Sequence, residues 1–151
     1  MFREIIERNH YSFFDEASSW EDAIRKACSS LIADNTVESN YPEDIIECIK
    51  KYGPYIVIAP LVAIPHCQEN AKGVNNTAVG FMKLNKPIAF DENDRELDAQ
   101  LFFTLASQNP EKHLENLTAL TEILCNEDLL EELKKINNID ELNSLVDKYN
   151  L

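Results

Sequence analysis

The segment YIVIAPLVAIPH at residues 55–66 limits the fold of this chain more than any other stretch. Its β-branched residues favour extended backbone. Pro60 and Pro65 cut it into two short pieces, 55–58 and 61–64, because the residue before a proline is pushed out of the helical region. Neither proline can donate to a strand ladder, so neither suits the middle of a central strand. This is the longest apolar run in the chain, and it falls well short of the ~20 residues that span a bilayer. Two short buried strands with functional potential at their exit are what it predicts.

The rest of the sequence supplies the cover. Residues 1–10 read as a short amphipathic lead-in, and HYSFF at 10–14 as an edge strand. Ser19, followed three residues later by Asp22, resembles a capping box. Trp20, Ala23, Ile24, Ala27, Cys28 and Leu31 then recur at helical spacing. Tyr41-Pro42 opens a second helix, with Glu43 and Asp44 at its positive end and Gly53-Pro54 as its stop. Residues 77–84 and 100–106 read as further strands, separated by a charged loop at 86–95. From Pro110 the pattern is helical, over 111–124, 127–134 and 139–149. Leu114, Leu117, Leu120, Ile123 and Leu124 form the expected apolar stripe of the first of these. Strands interleaved with helices, without repeats or linkers, predict a mixed α/β class and one domain over 1–151.

The chain has 151 residues, with 14 Lys plus Arg against 27 Asp plus Glu, for a net charge of −13. So much negative charge is repelled by phosphate backbones, which argues against nucleic-acid binding; it reads first as a solubilising surface, with steering of a basic protein partner as the alternative. The N-terminal MFREIIERNH has no apolar signal region, so a cytoplasmic location is expected. Cys28, Cys48, Cys67 and Cys125 are widely spaced and are expected to be reduced thiols.

Three glycines exclude a phosphate-cradling glycine loop. Of three histidines, His10 and His113 each read first as structural. His66 stands where a buried extended segment emerges into a loop, a position that often carries function. Cys67 follows directly, but neighbours on an extended chain point to opposite sides, so they do not form a nucleophilic pair. A zinc set of His66, Cys67, His113 and Cys125 remains open, although no pair has the usual short ligand spacing. Asp91, Glu92, Asp94 and Glu96 read as a solvated acidic loop.

The order KYGPYIVIAPLVAIPHCQENAKGV, TAVGFMKLNKPIAF and QLFFTLASQNPEKHLENLTAL resembles the enzyme IIA components of the bacterial sugar phosphotransferase system. The resemblance covers residues 20–149 and is closest to the ascorbate-type branch of the mannitol/fructose superfamily. Its specific parts are Tyr55-x-Val-Ile-Ala-Pro, Ala-x-Pro-His at 63–66, Asn85-Lys86-Pro87 and the helix-opening His113. It implies a small mixed, mainly parallel sheet between helices. It also implies a phosphocarrier activity. His66 matches the phosphorylated histidine, and His113 matches a second histidine that supports the phosphoryl group. The implied partners are HPr as donor, a IIB component as acceptor and, through IIB, a membrane IIC component. The sugar would be ascorbate-like or pentitol-type. A regulatory module of the same fold, controlling a protein partner through histidine phosphorylation, is the alternative. Dimers are common in that group, so a homodimer is left open, although no apolar stripe here demands one.

The implied chemistry suits the residues. A neutral imidazole offers a nucleophilic lone pair at pH 7. Phosphoryl transfer needs positioning and charge stabilisation, which a second histidine and loop N–H groups can supply without ATP, cofactor or metal. The sequence departs from the pattern at Leu61, where the ascorbate branch usually has Gly. It departs again at Cys67-Gln68-Glu69-Asn70, which replaces a loop containing a basic residue; Lys72 is the nearest substitute. Asp98-Ala99-Gln100 also differs at the start of the late strand. Lys50 and Lys51 stand near the position of an arginine in mannitol-type relatives.

Overall fold

The computed structural model describes residues 1–67 and 72–151. In chain order the elements are α1 (Phe2–Glu7), β1 (Tyr11–Phe14), α2 (Trp20–Ala33), α3 (Tyr41–Tyr52), β2 (Val57–Ala59), β3 (Leu61–Ala63) and β4 (Ala78–Ile88). A 3-10 turn at Arg95–Leu97 precedes β5 (Ala99–Ala106), followed by α4 (Pro110–Leu124), α5 (Glu127–Leu133) and α6 (Ile139–Lys148).

The helix ends follow the sequence chemistry. Ser19 caps α2 by accepting from the Asp22 N–H at 3.1 Å. Asn126 and Asn138 cap α5 and α6 through the Leu129 and Glu141 N–H groups. Gly53 ends α3 at φ 81°, ψ 180°, a conformation that only glycine adopts readily.

The five strands form one sheet in the order β1-β4-β5-β3-β2. The sheet is mixed, as expected. The β1–β4 and β3–β5 pairings are parallel, whereas β4–β5 and β2–β3 are antiparallel. Parallel character is thus confined to two of the four pairings. The short connection from β4 to β5 carries no crossover helix, so those two strands must run in opposite senses. β4 also continues through Lys86-Pro87 to Ile88, beyond the strand end expected at 84, and the irregular register between Lys83 and Ile88 accommodates that proline.

Alternate residues of β4 and β5 feed two cores, one on each face of the sheet. Met82, Leu84, Phe102 and Ala106 pack beneath α2 and α3 with Ile24, Leu31, Ile45 and Ile49. Val79, Phe81, Leu101, Phe103 and Leu105 pack beneath the other helices with Phe2, Leu120, Ile123, Leu133 and Leu142. Gly80 lets α2 approach closely, since a Cβ there would meet Leu31 at 3.3 Å. The result is three layers, with the central strands dry on both faces.

Two expectations change. Residues 55–58 were expected to form a buried strand, but β2 is the sheet edge and its Ile58 is 49% exposed. Leu114 is also solvent-facing, at 65% exposure, rather than part of the α4 stripe. It lies six residues before buried Leu120, hence about 120° around the helix.

Candidate functional site

The site begins with a two-residue hairpin. Ala59 pairs with Val62, leaving Pro60 and Leu61 at the turn. Pro60 presets the first corner, and Leu61 takes the left-handed φ of 64° at the second. The resemblance places glycine at this position, and the backbone shows why glycine suits it. The arms of the hairpin then run antiparallel, and the Ile64 N–H donates to the Ile56 carbonyl at 2.8 Å. That register sets Tyr55 opposite the Pro65–His66 end.

His66 leaves the sheet at the C-terminal end of β3. The Leu105 N–H donates to the Pro65 carbonyl at 2.9 Å, so the parallel alignment with β5 is held up to the residue before the histidine. The His66 ring is half-buried. Its Nδ1 lies 2.6 Å from the Ile64 carbonyl oxygen. A carbonyl only accepts, so Nδ1 carries the proton and Nε2 keeps its lone pair. The Tyr55 ring meets the imidazole edge to face, with centroids 5.2 Å apart and planes at 87°. The Tyr55 hydroxyl donates to the His66 backbone carbonyl. Burial foremost, then the nearby Cys48 and Cys67 thiols, push the Tyr55 phenol well above its ordinary range. It therefore stays a donor at neutral pH.

His113 lies in the first turns of α4, half-buried. Because β3 and β5 are parallel, His66 and the start of α4 emerge from the same end of the sheet, where open α/β sheets commonly bind ligands. The start of α4 is well fixed. The Asn109 side chain accepts from the Glu111 and Lys112 N–H groups at 3.0 and 3.1 Å. The Thr77 hydroxyl accepts from Gln108 and Asn109 N–H groups at 2.8 and 2.7 Å. These polar contacts order the first turn of the helix, whose positive dipole end is exposed.

The other candidates separate from this end. His10 is buried, its Nε2 2.7 Å from Asp34 Oδ2, and it ties β1 to the end of α2 as an edge-packed structural histidine. Burial raises the Asp34 pKa, but hydrogen bonds from Thr36 and His10 outweigh it and hold the carboxyl below its usual range. Cys125 stands at the far end of α4, 12 residues from His113 and roughly 18 Å along the axis, too far to share an ion with it. Among the described residues no group of three or more His, Cys, Asp or Glu side chains is placed to hold a metal. Cys28 is fully buried, and burial raises its thiol pKa strongly. Cys67 is half-buried against the α2–α3 core. The rest of the loop named with it, Gln68-Glu69-Asn70, lies outside the described residues.

Cations are largely engaged. Lys112 Nζ is 3.0 Å from Glu4, Lys50 is 3.6 Å from Glu47, and Lys51 lies over the Tyr52 ring at 5.0 Å. Lys72 is exposed just beyond the undescribed residues. Asp91, Glu92, Asp94 and Glu96 are exposed as expected, whereas Asp98 is buried and accepts a forked contact from Arg95. Among the described residues, no helix is long and apolar enough to cross a membrane.

Sequence reasoning gave Tyr55 as a strand residue and part of the resemblance but missed its contacts with His66, and it missed those of Thr77. The signal for Tyr55 was present, since two short arms about Pro60-Leu61 bring residues 55 and 66 face to face. Thr77 carried no comparable signal, because its partners are backbone groups 31 and 32 residues away.

Known proteins resemble this chain in sequence and fold. An ascorbate-specific PTS system EIIA component of Shigella boydii is 28% identical over 136 residues, covering 89% of this chain and 87% of that protein. The mannitol-specific cryptic phosphotransferase enzyme IIA CmtB of Escherichia coli superposes with a TM-score of 0.78 at 28% identity, covering 91% of each chain. The mannitol IIA of Escherichia coli, solved in complex with phosphorylated IIB, superposes with a TM-score of 0.75 at 26% identity, covering 92% of this chain and 95% of that one. With residues 4–149 also matching it as a whole, the chain belongs to the family of the phosphoenolpyruvate-dependent sugar phosphotransferase system described as EIIA 2.

Proposed function

We propose that residues 1–151 act as one phosphocarrier domain in which His66 accepts a phosphoryl group from phospho-HPr and passes it to a IIB component. The observation that carries this reading is the Nδ1 contact of His66 with the Ile64 carbonyl, which leaves Nε2 as the nucleophile. Nε2 attacks the phosphorus in line as the bond to the donor imidazole breaks. The donor's other ring N–H stays with it, so the donor leaves as neutral imidazole. His66 becomes a phosphoimidazolium, and its positive charge strengthens the Nδ1–H bond to Ile64. Transfer onward reverses these events on IIB. His113 stabilises the phosphoryl oxygens by donating a ring N–H. The cytoplasmic face of a membrane IIC is where such a carrier would work. The ascorbate-specific relatives favour an ascorbate-like sugar over a pentitol.

The test is labelling from phosphoenolpyruvate through purified enzyme I and HPr. Wild-type protein should carry an acid-labile, base-stable label. His66→Ala should carry none while keeping its circular dichroism spectrum. Full labelling of a folded His66→Ala protein would overturn the assignment.

A further inference from the structure

We infer that Tyr55 is a positioning residue that holds both the backbone and the ring of His66, fixing which imidazole nitrogen faces the phosphoryl donor. The inference rests on His66 being the acceptor. Two separate contacts come from one side chain. The phenol hydroxyl donates to the His66 carbonyl, which restrains the backbone at the point where the chain leaves the sheet. The phenol ring lies edge to face on the imidazole at 5.2 Å, which restrains its side-chain torsions. The Ile64 carbonyl then selects the Nδ1–H tautomer at 2.6 Å. This carbonyl can bond Nδ1 only while the ring keeps its orientation; a rotated imidazole would trade that bond for water.

Tyr55 is itself held from both sides. Gly53 at φ 81° turns the chain out of α3, and the Tyr55 N–H donates to the Gly53 carbonyl at 2.8 Å. The hairpin register fixes it from the other side through the Ile64–Ile56 bond. The clamp is thus anchored in α3 and β3. An in-line attack is sensitive to such placement, because a displacement of about 1 Å can cost on the order of a hundredfold in rate.

Two variants separate the contacts. Tyr55→Phe keeps the ring and loses the hydroxyl; the transfer rate from phospho-HPr should fall about fivefold, the scale of one hydrogen bond. Tyr55→Ala loses both and should fall on the order of a hundredfold. In both, the loss should lie in the maximal rate, with the KM for phospho-HPr little changed. Two-bond proton–nitrogen NMR gives a readout that needs no phosphoryl transfer. Wild-type His66 should show a protonated Nδ1 and a lone-pair Nε2. Tyr55→Ala should move both nitrogens toward the averaged values of exchanging tautomers, and Tyr55→Phe should restore most of the difference. Backbone amide spectra report whether each variant is folded. Should Tyr55→Ala unfold, the Tyr55→Phe rate decides, and a rate equal to wild type overturns the clamp. Wild-type nitrogen shifts and rates in a folded Tyr55→Ala protein also overturn it. Failure of wild-type protein to accept any label would instead overturn the acceptor role of His66, with the NMR result standing apart.

Discussion

Residues with unusual backbone carry the geometry around His66. Leu61 holds φ 64° at the second corner of the β2–β3 turn, where an L side chain is strained by roughly 1–2 kcal/mol. Leu61→Gly should remove that strain. The extra freedom of glycine in the unfolded chain offsets roughly 0.5–1 kcal/mol of the gain. Leu61 packs against neither core, so the expected net effect is a stabilisation of about 0.5 kcal/mol in urea unfolding. Leu61→Val should go the other way, since a β-branched residue tolerates positive φ poorly. Stabilisation by valine would show that this corner is not strained. Gly53 is the converse case. A Cβ there would meet nothing within 4 Å, so Gly53→Ala has only a conformational cost, about 1–3 kcal/mol. A smaller loss in urea unfolding would mean that α3 can end in another way.

The elements were more legible than their relations. Caps and apolar spacing located α2, α3, α5 and α6 closely, because those signals are local. The doubly buried strands β4 and β5 also stood out as continuous apolar runs. Neither the edge position of β2 nor the outward face of Leu114 could be read, since each depends on which element lies alongside. The position of His66 at a strand exit was legible because its signal, Pro65 closing a short extended piece, is contained in one segment. Its clamp by Tyr55 and the support of Thr77 depend on pairing across the fold. That dependence gives a prediction for the start of α4, where His113 sits. Asn109→Ala removes the acceptor for two helix N–H groups and should cost about 1 kcal/mol in urea unfolding. Thr77→Val is nearly isosteric but removes the acceptor for two more, and it should cost about 1–2 kcal/mol. If either variant slows phosphoryl acceptance without loss of stability, the order of this helix start acts on transfer rather than on the fold.

At the scale of the whole molecule, the net charge of −13 sets two responses of opposite sign. Lys86–Glu16 and Lys148–Glu132 join exposed charges 3.0 and 2.7 Å apart, but such exposed pairs contribute little. The surplus carboxylates repel one another in the folded state, and salt screens that repulsion over about 10 Å at 0.1 M. Raising salt from 10 to 150 mM should therefore raise the melting temperature. Acid acts differently. Burial pushes the Glu4 carboxyl up, but a hydrogen bond from Lys112 and the nearby Lys112 and Arg8 charges outweigh it and hold the group below its usual 4.5. Hydrogen bonds from Thr36 and His10 do the same for Asp34, below its usual 3.8. A depressed folded pKa contributes stability that is present above the unfolded value and is lost as pH falls through the folded one. That contribution should therefore fade below about pH 4.5. The acidic surface that salt stabilises is also the surface a basic phosphoryl donor would approach. The same change in salt should slow donor association, because screening removes the long-range attraction. Stopped-flow association with phospho-HPr and thermal unfolding, run on the same salt series, should thus move in opposite directions. A flat association rate beside a rising melting temperature would mean that the excess charge serves the folded chain's solubility and has no part in meeting its donor.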